Sequence, residues 1–169
     1  NHGAIDPLLE RAAVGAERKE PLAKLAAEYN MVAGYHNHSG MQEVAAPLWD
    51  LYWMIREVGM DSFGSNFDIG HATVEGGYGA WQINARLMAP FVKMMAVKDF
   101  VWENGKPKWV PLGQGHVQTV ECMKIVRGVG FEGPISMHFE YEVASNNAMI
   151  DEVGETAVTL RETLKKVGY

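Results

Sequence analysis

The chain has 169 residues, 47% of them hydrophobic, with a formal net charge of −6 and one cysteine, Cys122. That size and apolar fraction suffice for a single domain over residues 1–169 with a buried core, while one thiol excludes a disulfide framework and a four-thiolate zinc site and fits a reducing, cytoplasmic setting. The acidic balance, with no basic run, argues against a nucleic-acid partner, and no stretch approaches the roughly 18 consecutive apolar residues of a membrane span.

In chain order, helix-like and strand-like segments alternate. Residues 7–29 read as helical with a break near Gly15, Pro21 in a first turn, and an apolar face of Leu22, Leu25, Ala26 and Tyr29. Met31 to Tyr35 is a short apolar strand ending in His36-Asn37-His38-Ser39-Gly40. Pro47 opens a helix whose Leu48, Leu51, Tyr52, Ile55 and Val58 share one face, and Gly59 stops it. Phe63 to Ile69 is the next strand, followed by His71, a Gly-rich loop from Glu75 to Gly79 and a helix from about Ala80 to Ala89. Met94 to Val97 is a third strand, ending in Lys98-Asp99-Phe100. A long loop carrying Trp102 and Trp109 leads to Gly115, and a helix covers Thr119 to Val129. Pro134 to Phe139 is the fourth strand, ending at Glu140, and a last helix aligns Ile150, Val153, Ala157, Leu160, Leu164 and Val167. Alternation of this kind gives an α/β fold with a parallel sheet covered by helices.

Ionisable residues gather just after each strand: His36 and His38, Asp68 and His71, Lys98 and Asp99, His138 and Glu140. Ligands of parallel α/β folds bind at the carboxyl ends of the strands, so four strand ends deliver these groups to one edge. Imidazole and carboxylate together are ligands for one divalent cation, Mn²⁺, Zn²⁺, Co²⁺ or Mg²⁺. A metal there can polarise a carbonyl or hydroxyl while a neighbouring side chain moves a proton, the equipment for enolisation. Each residue also has a plainer use. Asp68 can cap a helix, Lys98-Asp99 can form a surface turn or ion pair, and one of His36 and His38 can simply bond a neighbouring loop. His138 and Glu140 alternate with Phe139 and so share a face. Trp102 and Trp109 offer an aromatic wall for a sugar, and Pro111 to Gly115 a tight turn. His2 and His116 stand outside the grouping, and Cys122 reads as a small buried side chain.

The stretches GYHNHSG (34–40), WDLYWMIREVG (49–59), NFDIGHATVEGG (66–77), VKDF (97–100), PLGQG (111–115) and GFEGPISMHFEYE (130–142) resemble the sugar phosphate isomerase/epimerase family with the xylose isomerase-like TIM barrel. The resemblance implies a (β/α)8 barrel, of which four strand–helix units, its C-terminal half, are visible; the absence of an initiator Met fits that. A half-barrel standing alone would have to pair with another chain, a homo-oligomer. The resemblance also implies a divalent metal held by Glu, Asp, His and Glu from successive strands. Asp68 matches the Asp ligand and His71 the substrate-binding His. Elsewhere the chain departs: His36-Asn37-His38 stands where the family has Glu, Val97 where it has His, and His138 in the last Glu position with Glu140 two residues on. The metal site is then rebuilt from His38 (or His36), Asp68, His138 and Glu140, or it is weakened or lost. The implied activity is isomerisation or epimerisation of a sugar or sugar phosphate. Glu140, Lys98 and His71 are the catalytic candidates, and His36, His71, Lys98 and Trp102 the contacts to a small sugar or polyol. The alternatives are a related lyase or dehydratase, or a non-catalytic sugar-binding descendant.

Overall fold

A computed structural model describes residues 6–169, with residues 6–12 as backbone only. In chain order the elements are α1 (Asp6–Glu28), β1 (Ala33–His36), α2 (Leu48–Val58), β2 (Phe63–Asp68), α3 (Ile69–Glu75), α4 (Ala80–Met88), β3 (Val92–Val97), β4 (Asp99–Glu103), β5 (Lys106–Val110), α5 (Thr119–Arg127), β6 (Ile135–Met137) and α6 (Asn146–Lys166). The strands β1, β2, β3 and β6 form one parallel sheet in that order, and β4 and β5 form a separate antiparallel hairpin. The sheet is an open arc, not a closed barrel. Its central strands are mostly buried, whereas β1 and β6, at the two edges, are half-buried or more exposed.

Helix α2 forms as its sequence dictates. Leu48, Leu51, Ile55 and Val58 recur every three or four residues and are buried, and Gly59 ends the helix at φ 61° with its N–H on the Ile55 carbonyl. The core between helices and sheet is filled by Phe63, Phe67, Met88, Met95, Val97, Met123 and Val126. Cys122 joins it, and burial pushes its thiol up to about 12, as an inert core side chain requires.

Helix α1 departs from expectation in three ways. It runs unbroken through Gly15, where a Cβ would lie 2.8 Å from the Met54 methyl carbon, so the missing side chain makes room for α2. Pro21 sits inside the helix, not in its first turn. The face turned inward carries Ala16, Ala23 and Ala26, while Leu22, Leu25 and Tyr29 are 46%, 50% and 70% exposed. Small residues let two helices approach closely, and that packing outweighs burial of the larger side chains. The start of α6 behaves similarly: Leu160 is buried and Leu164 and Val167 pack on the core, but Ile150 and Val153 are exposed. No helix among the described residues is long and apolar enough to cross a membrane. His2 lies outside the described residues.

Two elements fill segments expected to be loops. Helix α3 begins immediately after β2, because the Asp68 side chain accepts the His71 N–H at 2.9 Å and caps it. The Trp-bearing segment is the β4–β5 hairpin, turned by Asn104 and Gly105 at φ 52° and 75°. Positive φ at both central residues is the tight turn that Asn-Gly favours.

Candidate active site

The carboxyl ends of β1, β2, β3 and β6 converge on Asp68, which is completely buried. Asn37 fixes it there. The Asn37 carboxamide accepts the Asp68 N–H at 2.9 Å and donates to the Asp68 carbonyl at 3.0 Å. One carboxylate oxygen, Oδ1, caps α3; the other, Oδ2, faces the site. Asp68 therefore serves both as helix cap and as site residue.

Around Oδ2 lie His36 Nε2 at 3.2 Å, Lys98 Nζ at 3.2 Å and His138 Nδ1 at 3.7 Å. His36 Nε2 and Asp68 Oδ2 lie against each other as an ion-pair contact, and both are buried without a well-formed hydrogen bond. The histidine tautomers follow from the neighbours. Ser136 Oγ donates to the Met95 carbonyl at 3.2 Å, so it accepts from His138 Nε2, also at 3.2 Å. That leaves a bare lone pair on His138 Nδ1 facing the Asp68 carboxylate. Two lone-pair groups turned on each other at 3.7 Å are donors that a cation can bridge, beside the Lys98 ammonium already 3.2 Å from the same oxygen.

Lys98 occupies the other half of the site. Its stem crosses Gly70, where a Cβ would lie 2.6 Å from Lys98 Cγ, which explains the glycine in Asp68-Ile69-Gly70-His71. The ammonium donates to His71 Nε2 at 2.6 Å and to Glu140 Oε1, and it lies 4.2 Å from the centre of the Trp109 ring. A lysine ammonium only donates, so His71 is bare at Nε2, and its Nδ1–H is directed at Ser39 Oγ, 2.8 Å away. His71 is thus neutral. Burial, helped by Lys98 and His38 and opposed by Asp68 and Glu140, pushes it down to about 4 from its ordinary 6.5. Burial pushes His138 down as well, and Asp68 alone moves the other way relative to its burial: desolvation favours its neutral form, but His36, Lys98 and His71 together hold its carboxyl below the usual range.

The His71 shift sets a stability window. The unfolded chain takes up a proton at His71 below about 6.5, and the folded chain only near 4. Stability is therefore full above 6.5 and is lost as the pH falls through that window. Urea unfolding in EDTA at successive pH values should show this decline, and His71→Gln should flatten it. A wild-type profile with no fall between those two values would contradict a neutral, buried His71.

Among the described residues, two groups of ligand atoms lie within 4.8 Å of one another: His36, Asp68 and His138, and Asp68, His71 and Glu140. Lys98 already sits in the second, bonded to His71 and Glu140. His38 belongs to neither group. It follows the end of β1, is exposed, and lays its ring 5.0 Å from that of His36 and 4.2 Å from that of His71. The imidazole that β1 brings to Asp68 is that of His36, the last residue of the strand. Trp102 is 48% exposed and packs on Phe100, whereas Trp109 is the tryptophan against Lys98 and His71. Asp99 is neither a surface turn nor an ion pair. Buried, it accepts N–H bonds from Phe100 and Val117 at 2.9 Å and from Gly113 and Gly115 at 3.1 and 2.9 Å, folding the 111–117 loop beneath the hairpin.

A family model described as "Xylose isomerase-like TIM barrel" matches residues 4–164. The chain belongs to this family. Solved structures of similar fold include a D-tagatose 3-epimerase-like protein, with TM-score 0.71 and 16% identity, covering 90% of this chain and 54% of that one. A xylose isomerase-like TIM barrel protein from Mycobacterium smegmatis in complex with magnesium has TM-score 0.67 and 17% identity over 88% of this chain and 50% of that one. The IOLI protein with a bound zinc atom has TM-score 0.66 and 15% identity over 90% and 55%. Identities this low show a shared fold. The chain spans about half the length of the solved structures it matches, between 50% and 58%. No curated protein sequence matches it.

Proposed function

We propose that the chain carries the metal-dependent catalytic half of a sugar isomerase or epimerase. The observation that carries this reading is the convergence of three metal-ligating side chains: Asp68 Oδ2 and His36 Nε2, both buried without a well-formed hydrogen bond, and His138 Nδ1, 3.7 Å from the same carboxylate oxygen. One carboxylate and two imidazoles suit Mn²⁺, Co²⁺ or Zn²⁺ better than Mg²⁺, which favours oxygen ligands. What a divalent ion held by these residues supplies is Lewis-acid polarisation of the substrate's carbonyl and neighbouring hydroxyl.

The chain's own residues do the rest. Glu140, whose side chain is 32% exposed, reaches the solvent side of the site and can remove the proton from the carbon beside the carbonyl and return it. Lys98 places its positive charge where negative charge develops on the enolate oxygen. Neutral His71, oriented by Ser39, fixes the direction of that ammonium. The wall of Trp109 excludes water from one side.

The test is deuterium exchange. Incubated with the protein and MnCl₂ in D₂O, a sugar from a panel of ketohexoses (fructose, tagatose and psicose) is expected to incorporate deuterium beside its carbonyl, read by mass spectrometry, and the exchange to stop in EDTA. Sugar binding that ignores EDTA, with no exchange, would favour a non-catalytic sugar-binding protein instead.

A further inference from the structure

The site does not end at Glu140. A cleft of about 880 Å³ opens beside it between the β4–β5 hairpin and the segment after β6, with Glu140 and Trp109 shared by both. Those two residues also touch Lys98, so whatever occupies the cleft is continuous with whatever reacts at the site. The volume lies near the top of the roughly 300–1,000 Å³ typical of small-molecule sites, more than one monosaccharide ring needs beside a catalytic centre.

The charges say what kind of group fits there. Glu140 is bonded to Lys98, and Glu103 to Lys108 at 2.6 Å. Lys106 and Glu142 remain, one of each sign, so the cleft concentrates no positive charge for a phosphate. Its other walls are Trp109, whose ring carries the Lys98 ammonium over one face, Tyr141, and the rings of Pro107 and Pro111, interleaved with polar groups. Flat apolar faces between mixed donors and acceptors suit an uncharged polyhydroxylated ring, with C–H groups on the faces and hydroxyls on the rim.

We infer that the substrate is a glycoside with a free reducing end: the reducing unit, whose carbonyl reacts, lies at Asp68 and Lys98, and a second, uncharged sugar unit fills the cleft beyond Glu140. This rests on the reading of the site as a sugar site and narrows it: a free monosaccharide fills only the reacting half and binds more weakly, and a sugar phosphate finds no matching positive charge in the cleft.

Calorimetric titration of the protein in MnCl₂ with the reducing disaccharides cellobiose, maltose and lactose, against glucose, galactose, fructose and glucose 6-phosphate, separates the cases. The expected result is at least one disaccharide binding about tenfold or more tighter than its constituent monosaccharides and than glucose 6-phosphate. In the Lys106→Ala/Glu142→Ala double variant that preference should fall toward unity, with the melting temperature unchanged. Monosaccharides or glucose 6-phosphate binding as tightly as every disaccharide would overturn the glycoside assignment and leave the sugar site standing. No binding of any of these carbohydrates would overturn both.

Discussion

Replacing Asp68 with Asn is expected to weaken Mn²⁺ or Zn²⁺ binding by about a hundredfold or more, and to abolish metal-dependent exchange. Losing a group that merely orients a ligand typically weakens metal binding by about 10–100-fold, so losing the shared carboxylate belongs at or beyond the upper end. The substitution is nearly isosteric. An Asn side-chain oxygen can still accept the His71 N–H that caps α3, and Asn37 holds the backbone through main-chain atoms. The helix and the strand end therefore survive, and what disappears is the charge that faces His36, His138 and Lys98. Calorimetric titration of metal into the EDTA-treated variant measures the effect. Unchanged affinity would remove Asp68 from the metal centre.

The second large effect concerns Lys98. Its side chain is 1% exposed and that of Asp68 0%, so Lys98→Met leaves a buried carboxylate without its ammonium. Breaking a buried pair in this way destabilises by about 3–5 kcal/mol, because the remaining charge stays desolvated and uncompensated. His36 and the capping N–H soften the loss, which puts the expected value near the lower end, about 3 kcal/mol in EDTA. Added Mn²⁺ should recover part of it, since the cation supplies positive charge beside the same carboxylate. Urea unfolding with and without metal reads both numbers. A loss below about 1 kcal/mol, the value of an exposed ion pair, would mean that the ammonium is not buried against Asp68.

What the sequence made legible was the alternation of elements and the edge at which chemistry collects. Apolar runs ending in Asp68, Lys98 and Glu140 put those three side chains together, and the two-residue spacing of His138 and Glu140 kept both at the site. The same spacing hid the choice between His36 and His38: residues two apart share a face, and only where β1 stops decides which imidazole meets Asp68. Trp102 and Trp109 pose the same problem across the hairpin. Asn104-Gly105 between alternating Val101, Glu103 and Lys106, Lys108 was the signal for that hairpin, and its register seats Trp109 opposite Phe100 and over Lys98. The exposed Leu22 and Leu25 were illegible for a different reason. A helix rich in alanine offers two possible inner faces, and close approach to α2 selects the smaller residues. Asp99 looked like a partner for Lys98 because they are adjacent, but successive residues at a strand end point to opposite sides, and Asp99 turns to the loop amides instead.

The most direct test of the central claim is an anomalous difference map from crystals grown with MnCl₂. The expected result is a single strong peak at coordinating distance, about 2.0–2.2 Å, from Asp68 Oδ2, His36 Nε2 and His138 Nδ1, with Lys98 still on His71 and Glu140. A map with no peak there, or with a peak among Asp68, His71 and Glu140 and Lys98 displaced, would contradict it.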